Sequence, residues 1–397
     1  MTAMTYRIKT LNAISPSGLS RLPSDTYEVG NAVEEPHALL LRSASLHGAP
    51  IPDSVLAVAR AGAGTNNIPI ADYSARGIPV FNTPGANANA VKELVLAGAL
   101  MGARNLFAAA LFVRDLAAGE GAMDEAEMDQ VVEANKKAYA GWELPGRTLG
   151  VVGLGAIGVQ VANAGLALGM KVVGYDPQIT VRHAWQLSAS VDRAESIDDV
   201  FRAADVLTLH LPLIEATKGL VNTQRLAMMQ PGSVLLNFAR GGIVDTAAVV
   251  ASLDAGHLRN YICDFPAPEL NRHPKVLALP HLGASTAEAE DNCAAMAADE
   301  LRDFLERGEI SNSVNFPNAR LPRSEGTTRV VIANSNVPNI VGRVTTMVAE
   351  SGLNIADMLN ASRGDIAVTL VDLDNGVPAD LVDRIRGLDG VLSARVV

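Results

Sequence analysis

Short apolar runs separated by polar turns fill the first part of the chain. Runs over residues 37–45, 54–62 and 78–83 are rich in Leu, Val and Ala and are bounded by Gly, Pro and Asn. This pattern is typical of buried strands. From Val91 to Leu116 the apolar positions follow a helical spacing instead, which predicts one long helix.

Strand-like and helix-like segments alternate regularly from residue 149 to about residue 280. The apolar runs LGVVGL, KVVGYD, VLTLHL, SVLLNF and VLALP are each followed or preceded by a helical stretch. Strands that alternate with helices build βαβ units, in which the strands run parallel. The sequence therefore predicts an α/β fold with a doubly wound parallel sheet, and a further helix over about 285–307.

The last part of the chain has a different pattern and a different composition. It predicts strands over 328–333, 353–360, 365–373 and 391–397, with helices that begin after Pro338 and Pro378. From Gly326 onward it contains no His, Lys, Cys or aromatic residue. A βαββαβ unit with so few reactive side chains favours a binding or regulatory role over a second active site.

Composition and charge exclude several classes of protein. With 48% hydrophobic and 19% charged residues the chain predicts a packed globular protein, and a net charge of −11 argues against nucleic-acid or anionic-membrane partners. The two cysteines have no metal-binding spacing, the first residues lack the apolar core of a signal peptide, and Arg104 interrupts the most apolar stretch. We expect a soluble cytoplasmic protein without a metal site.

A glycine motif marks a candidate cofactor site. Gly153, Gly155 and Gly158 form G-x-G-x-x-G between a predicted strand and helix, and Asp176 ends the next predicted strand. Such glycines let the backbone approach a pyrophosphate at a helix N-terminus, and the carboxylate accepts hydrogen bonds from the ribose hydroxyls. A carboxylate repels a 2′-phosphate, so NAD is favoured over NADP. The backbone amides that bind the pyrophosphate would come from the motif and from Ala156 and Ile157.

Two of the seven histidines lie at a predicted ligand-binding edge. His210 ends the strand VLTLH, and His281 follows the strand VLALP. Ligands of open α/β sheets bind at the carboxyl ends of the strands. Position alone leaves both as candidate proton carriers, and a core or capping histidine is a third possibility.

Three further motifs carry a resemblance to a known family. NFARGGIVD, DFPAPE and LPHLGAST follow the glycine motif in this order, and they resemble the D-isomer-specific 2-hydroxyacid dehydrogenase family. The resemblance implies that His281 is the catalytic acid/base, that Glu269 is its carboxylate partner and that Arg240 binds the substrate. The middle motif is usually D-V-F-x-x-E-P. In this chain proline occupies its third and fifth positions, as Pro266 and Pro268. The resemblance also implies cofactor contacts from Asp264 (to the nicotinamide carboxamide), His210, Pro212, Phe238, Gly283 and Thr83.

The amino-terminal motifs narrow this resemblance to members that oxidise 3-phosphoglycerate. RAGAGTNNIP and VFNTPGANANAVKELVLA carry it. It implies that Arg60 faces the substrate phosphate and that the Gly62, Ala63 and Gly64 segment lines its carboxylate. Lys136, or its neighbour Lys137, falls where related enzymes place a basic residue that reaches the phosphate.

The tail resembles the ACT regulatory domain of the same branch. NSNVPNIVGRV and GLNIADMLNASRGDIAVTLVDLD carry this likeness, which implies that L-serine binds between domains. Asn336 and Asn354 match effector-contacting positions, and Asn334 stands where many relatives have histidine. Inhibition by serine is therefore a hypothesis.

Together the motifs imply two Rossmann-like doubly wound domains and a C-terminal βαββαβ (ferredoxin-like, ACT) domain. The expected division is a substrate-binding domain (1–94 and 286–318), an NAD-binding domain (95–285), a linker (319–327) and the ACT domain (328–397). The expected function is NAD-dependent oxidation of 3-phosphoglycerate in a homodimer or homotetramer. The alternatives are a glyoxylate or hydroxypyruvate reductase and an NAD-sensing corepressor-like protein.

Overall fold

The structure is a computed structural model that describes residues 5–116 and 123–397. The chain divides into two compact units, one formed by residues 1–87 together with 287–397 and the other by residues 88–286. The chain therefore leaves the first unit once and returns to it at the helix that begins at Ala287.

The described part of the first unit begins with a five-stranded parallel sheet of order β2-β1-β3-β4-β5. Strand β3 (Ala38–Leu41) is buried along its whole length, as the apolar run predicts for a strand covered on both faces. The remaining elements are β1 (Tyr6–Leu11), α1 (Pro16–Leu19), β2 (Tyr27–Gly30), β4 (Ala57–Arg60), α2 (Ile70–Ala75) and β5 (Val80–Asn82).

The second unit is a doubly wound α/β domain. Within its described residues a seven-stranded parallel sheet has the order β12-β11-β10-β9-β6-β7-β8. Its helices are α3 (Ala88–Arg104), α4 (Leu106–Leu116), α5 (Glu125–Asn135), α6 (Ala156–Ala167), α7 (Val181–Gln186), α8 (Ile197–Ala203), α9 (Thr223–Met228), α10 (Thr246–Asp254) and α11 (Pro268–Asn271). Its strands are β6 (Thr148–Val152), β7 (Lys171–Tyr175), β8 (Asp192–Arg193), β9 (Val206–Leu209), β10 (Ser233–Asn237), β11 (Leu258–Cys263) and β12 (Val276–Ala278).

Helix α12 (Ala287–Arg307) returns the chain to the first unit and packs on β4 and β5. A four-stranded antiparallel sheet of order β14-β15-β13-β16 follows. Its elements are β13 (Thr328–Ser335), α13 (Ile340–Glu350), β14 (Ile355–Arg363), β15 (Ile366–Leu373), α14 (Ala379–Arg386) and β16 (Val391–Val396). Two parallel α/β sheets and a βαββαβ domain confirm the predicted fold class.

The single long helix predicted from Val91 is wrong in one respect. Helix α3 ends at Arg104, and α4 begins at Leu106 with a bend of 66°. Asn105 makes the break, because its φ of +49° lies outside the right-handed helical region. No single helix of the described residues is long and apolar enough to cross a membrane, although α3 and α4 taken together pass that test of length and composition.

Candidate active site

The glycine loop joins β6 to α6, and each glycine has a distinct steric reason. A Cβ on Gly153 would lie 2.4 Å from the carbonyl oxygen of His210, and one on Gly158 would lie 1.9 Å from that of Gly153. A Cβ on Gly155, which caps α6, would meet nothing within 4 Å. Two glycines therefore permit close packing, and the third leaves open space at the N-terminus of a helix, where an anion is stabilised.

Asp176 directly follows β7 and lies against this loop. Its carboxylate accepts hydrogen bonds from the backbone N–H of Leu154 and from that of Gln178, each at 2.8 Å. The half-buried side chain is thereby fixed beside the glycine loop. The open cradle at Gly155 and the fixed carboxylate fit an NAD pyrophosphate and ribose in the way that the spacing predicts.

His210 follows β9 and has the properties of a neutral structural histidine. Its Nε2 lies 3.0 Å from the Thr208 hydroxyl oxygen. Burial lowers the pKa of His210 to about 3, so the ring stays uncharged at neutral pH. A general acid/base needs a pKa near the operating pH. The low pKa that burial causes therefore disfavours His210 as the proton carrier, and its predicted cofactor contact stays a prediction.

His281 lies on the loop after β12, with its side chain exposed. Its φ is +55°, a conformation that few residues other than glycine adopt. Asp264, which is 1% exposed, holds this loop: its carboxylate oxygens accept the Leu282 N–H at 2.7 Å and the Gly283 N–H at 2.9 Å. Asp264 therefore supports the backbone that carries His281, and its predicted contact with the nicotinamide stays a prediction.

Glu269 lies in the first turn of α11 with an exposed side chain. Among the described residues no ion pair within 4.0 Å joins it to His281. The His281 ring instead packs on the Phe265 ring, with their centroids 5.0 Å apart. The structure brings the segments of the predicted pair to the same edge of the sheet, but the two side chains do not form an ion pair.

Arg240 lies on the turn that follows β10 and is exposed. Asn237, which is fully buried, fixes this turn: its Nδ2 donates to the Arg240 carbonyl oxygen at 3.0 Å, and its Oδ1 accepts the Ala239 N–H at 3.2 Å. The sequence predicts no role for Asn237 beyond its place in the motif NFARGGIVD. Its signal was an amide at the end of an otherwise apolar strand.

The sheet order explains how these residues meet. Strands β10, β11 and β12 are neighbours, and β9 and β6 continue the sheet. Arg240, Asp264, His281, His210 and Gly153 each follow the carboxyl end of one of these strands, along one edge of the sheet. A cation, a carboxylate and an exposed imidazole thus lie on the same edge as the glycine loop, which is where ligands of such folds bind.

Three other residues that are predicted to contact the cofactor or the substrate also lie in this unit. Phe238 is buried and lies beside Gly98 of α3. Pro212 is exposed. Lys136 begins a short 3₁₀ helix and forms an exposed ion pair with Glu133.

The predicted substrate loop of the first unit is held together by hydrogen bonds to its backbone. The Thr83 N–H donates to the Gly62 carbonyl oxygen at 3.1 Å, and Asn82 Nδ2 donates to that of Ala63 at 2.6 Å. Gly64 follows in the same loop. The segments after β4 and β5 are therefore joined at the carboxyl edge of their sheet.

Arg42 is a further candidate site residue that the sequence motifs do not identify. It follows β3 just as Arg60 ends β4, and Arg60 Nε donates to the Arg42 carbonyl oxygen at 3.0 Å. Arg42 also forms an ion pair with Glu290 of α12 at 2.7 Å. Burial raises the pKa of the Cys293 thiol, and the Thr83 hydroxyl and the charges of Arg42 and Arg60 oppose this. Two arginines thus lie together at this edge.

Two of the three predicted effector residues, Asn336 and Asn354, lie apart within one chain. Asn336 donates to the Gly364 carbonyl oxygen at the turn between β14 and β15, whereas Asn354 donates to Asp374 at the other end of this hairpin. Nine residues of β14 separate these ends, or about 30 Å at ~3.3 Å per residue. Asn334 is buried and donates to the Ser335 carbonyl oxygen.

The described residues contain no group of three or more His, Cys, Asp or Glu side chains that could hold a metal ion.

Residues 107–283 match the family described as D-isomer specific 2-hydroxyacid dehydrogenase, NAD binding domain. The D-3-phosphoglycerate dehydrogenase of Haemophilus influenzae is 32% identical over 94% of this chain and 89% of its own length. The enzyme of that name from Escherichia coli K12 is 29% identical over 84% and 79%.

Solved structures show the same likeness. A crystal structure of NAD⁺-bound 3-phosphoglycerate dehydrogenase from Entamoeba histolytica covers 80% of this chain and 100% of its own, with 25% identity and a TM-score of 0.60. The crystal structure of TT0316 protein from Thermus thermophilus covers 78% and 99%, with 28% identity and a TM-score of 0.62.

Proposed function

Because the chain belongs to the D-isomer-specific 2-hydroxyacid dehydrogenase family, we propose that it oxidises the C2 hydroxyl of 3-phosphoglycerate to 3-phosphohydroxypyruvate, the first step of L-serine biosynthesis. Its cofactor is NAD. The observation that carries the proposal is the carboxyl edge of the second sheet, where the segments after β10 and β12 carry Arg240 and His281 on the same edge as the glycine loop after β6. The names of similar relatives support the phosphorylated substrate.

The glycine loop and Asp176 would hold the cofactor. Amides at the start of α6, including those of Ala156 and Ile157, would bind the pyrophosphate, and Asp176 would accept hydrogen bonds from the ribose. NAD supplies the acceptor for the hydride that leaves C2. The carboxylate of Asp176 would repel a 2′-phosphate and so exclude NADP.

His281 would take the proton of the C2 hydroxyl and return it in the reverse direction. The proposal requires the Glu269 carboxylate to approach the ring in the working enzyme, where it would stabilise the imidazolium. Both side chains are exposed, so side-chain rotation is open to each of them. Arg240 would form a two-pronged pair with the substrate carboxylate and polarise C2.

Arg60 and Arg42 would supply positive charge for the phosphorylated substrate in a chain whose net charge is −11. Their adjacent positions at the ends of β4 and β3 support this role. Gly62 to Gly64 would line the substrate carboxylate, and Thr83 would border the cofactor. Lys136 is proposed as a further phosphate contact.

A second copy of the chain is part of the proposal. Helix α4 buries none of its residues, and its Leu106 and Val113 are 46% and 47% exposed. Contact with a second copy would remove this apolar surface from water. L-serine binding through Asn334, Asn336 and Asn354 would also need two copies of the C-terminal domain, because one hairpin holds Asn336 and Asn354 at opposite ends. The cytoplasmic location stays a prediction.

Steady-state NADH oxidation tests the proposed substrate. We expect kcat/KM to be at least ~10²-fold higher for 3-phosphohydroxypyruvate than for hydroxypyruvate or glyoxylate, because the phosphate would form charge-assisted hydrogen bonds with Arg60 and Arg42 that the other two compounds cannot form. Equal values for the three compounds would instead identify a general hydroxyacid reductase. Absence of turnover with all three, while NADH still binds, would favour a cofactor-sensing protein.

A further inference from the structure

A cavity lies within the first unit, where the antiparallel sheet meets α12 and the end of α2. Its volume is about 520 Å³, within the range of small-molecule sites in proteins. The wall is mainly apolar, and its buried part includes Phe304, Ile310, Phe316, Val331 and Ala333. None of the predicted catalytic, cofactor, substrate or effector residues lines it.

Arg395 of β16 lines this cavity and contacts no acid among the described residues. Its two Nη groups donate to the carbonyl oxygens of Phe304 and Leu305 at the end of α12, and its guanidinium carbon lies 4.5 Å from the centre of the Phe304 ring. Its Nε is buried without a hydrogen-bond partner. No carboxylate in the described part of the chain lies within 4.0 Å of it. Burial lowers the pKa of Arg395 to about 10, and the group stays charged at neutral pH.

The other charged groups of the wall are already compensated. Arg76 pairs with Asp53, which also lines the cavity, and Arg386 pairs with Asp383. Within residues 5–116 and 123–397, the cavity therefore combines an apolar wall with one positive charge that has no counter-charge. An isolated buried charge is costly, and pairing it with an anion recovers part of that cost.

We propose that this cavity binds a small organic carboxylate with an apolar body, through Arg395 and the wall of Phe304, Ile310 and Phe316. The carboxylate pairs with the Arg395 guanidinium, which lines the cavity and has no acidic partner among the described residues. The apolar body displaces water from the wall. The described wall carries no unpaired acid for an ammonium group, so a simple carboxylate fits better than an amino acid. The site is independent of the proposed reaction.

Isothermal titration calorimetry with 3-phenylpropanoate tests this site in the full-length protein with saturating NAD. We expect a Kd on the order of 0.1 mM, an affinity within reach of a ligand of this size. The neutral analogue 3-phenylpropan-1-ol should bind at least ~10-fold more weakly, because it lacks the charge that pairs with arginine. Equal affinity of the acid and the alcohol would overturn the proposal, as would absence of binding at 10-fold higher concentration of the acid, ~1 mM.

Three variants locate the binding. Arg395→Gln should weaken binding of the acid at least ~10-fold and leave that of the alcohol unchanged. Ser393→Phe fills the end of the cavity without altering Arg395, so it should also weaken the binding of the acid. This variant keeps the test valid if Arg395→Gln does not fold. Arg240→Gln should leave binding unchanged. Loss of binding in Arg240→Gln with retention in Ser393→Phe would place the carboxylate at the catalytic arginine and overturn the proposal.

Discussion

Replacement of His281 by alanine is expected to lower kcat for 3-phosphohydroxypyruvate reduction by ~10² to 10⁴-fold, the usual contribution of a positioned general acid/base. The affinity for NADH, measured by its fluorescence on binding, should change little, because the glycine loop and Asp176 lie on other strands of the sheet. The loss should therefore appear in the chemical step, where the imidazole proton would reach the carbonyl oxygen.

His183→Gln is the matched control, since His183 lies on the short helix α7 and is not among the proposed catalytic, cofactor-binding or substrate-binding residues. It should retain the turnover of the unaltered protein. Near-normal turnover of His281→Ala would contradict the proton-transfer role. A large loss of NADH binding in the same variant would assign His281 to the cofactor site instead.

Replacement of Arg329 by methionine is expected to destabilise the C-terminal domain by about 3–5 kcal/mol, the usual cost of breaking a buried ion pair. Arg329 and Asp372 are 0% and 1% exposed, and Nε and Nη2 of the arginine reach the two carboxylate oxygens at 2.6 and 2.7 Å. The guanidinium also donates to the carbonyl oxygens of Arg307 and Leu321. The variant leaves the Asp372 carboxylate buried without this partner. Denaturant unfolding followed by hydrogen exchange of the β13 and β15 amides measures the loss.

The double variant Arg329→Met, Asp372→Leu also removes the Asp372 carboxylate, which the single variant leaves buried without its partner. It should recover most of the lost stability, because well-packed apolar residues often replace a buried pair without net cost. A double variant as unstable as the single one would show that loss of the hydrogen bonds to Arg307 and Leu321, and not the unpaired Asp372 carboxylate, causes the loss of stability.

Local pattern was sufficient for the fold class because the strands of the two parallel sheets are mostly short apolar runs and the long helices keep their period. The pattern does not predict the helix break at Asn105, because the apolar positions continue through it while this one residue adopts a left-handed conformation. The buried Arg329 also escaped prediction. An arginine in a strand is expected to be exposed until the register places Asp372 directly opposite it.

The candidate site was predictable to the extent that strand ends mark it. His281 and His210 both follow strands, and only burial, which is a property of the folded chain, distinguishes them. Arg42 obeys the same strand-end rule as Arg60, so equal use of that rule would have found it. The separation of Asn336 from Asn354 depends on the pairing of β14 with β15, which a spacing along the chain does not reveal.

Oxidation of 3-phospho-D-glycerate labelled with deuterium at C2 tests the central claim most directly. The protein is incubated with the labelled compound and NAD, hydrazine traps the ketone, and NMR locates the label. The account predicts 3-phosphohydroxypyruvate as its hydrazone and deuterium at C4 of the nicotinamide ring in the NADH that forms. Absence of NADH, or NADH that carries no deuterium, would contradict it.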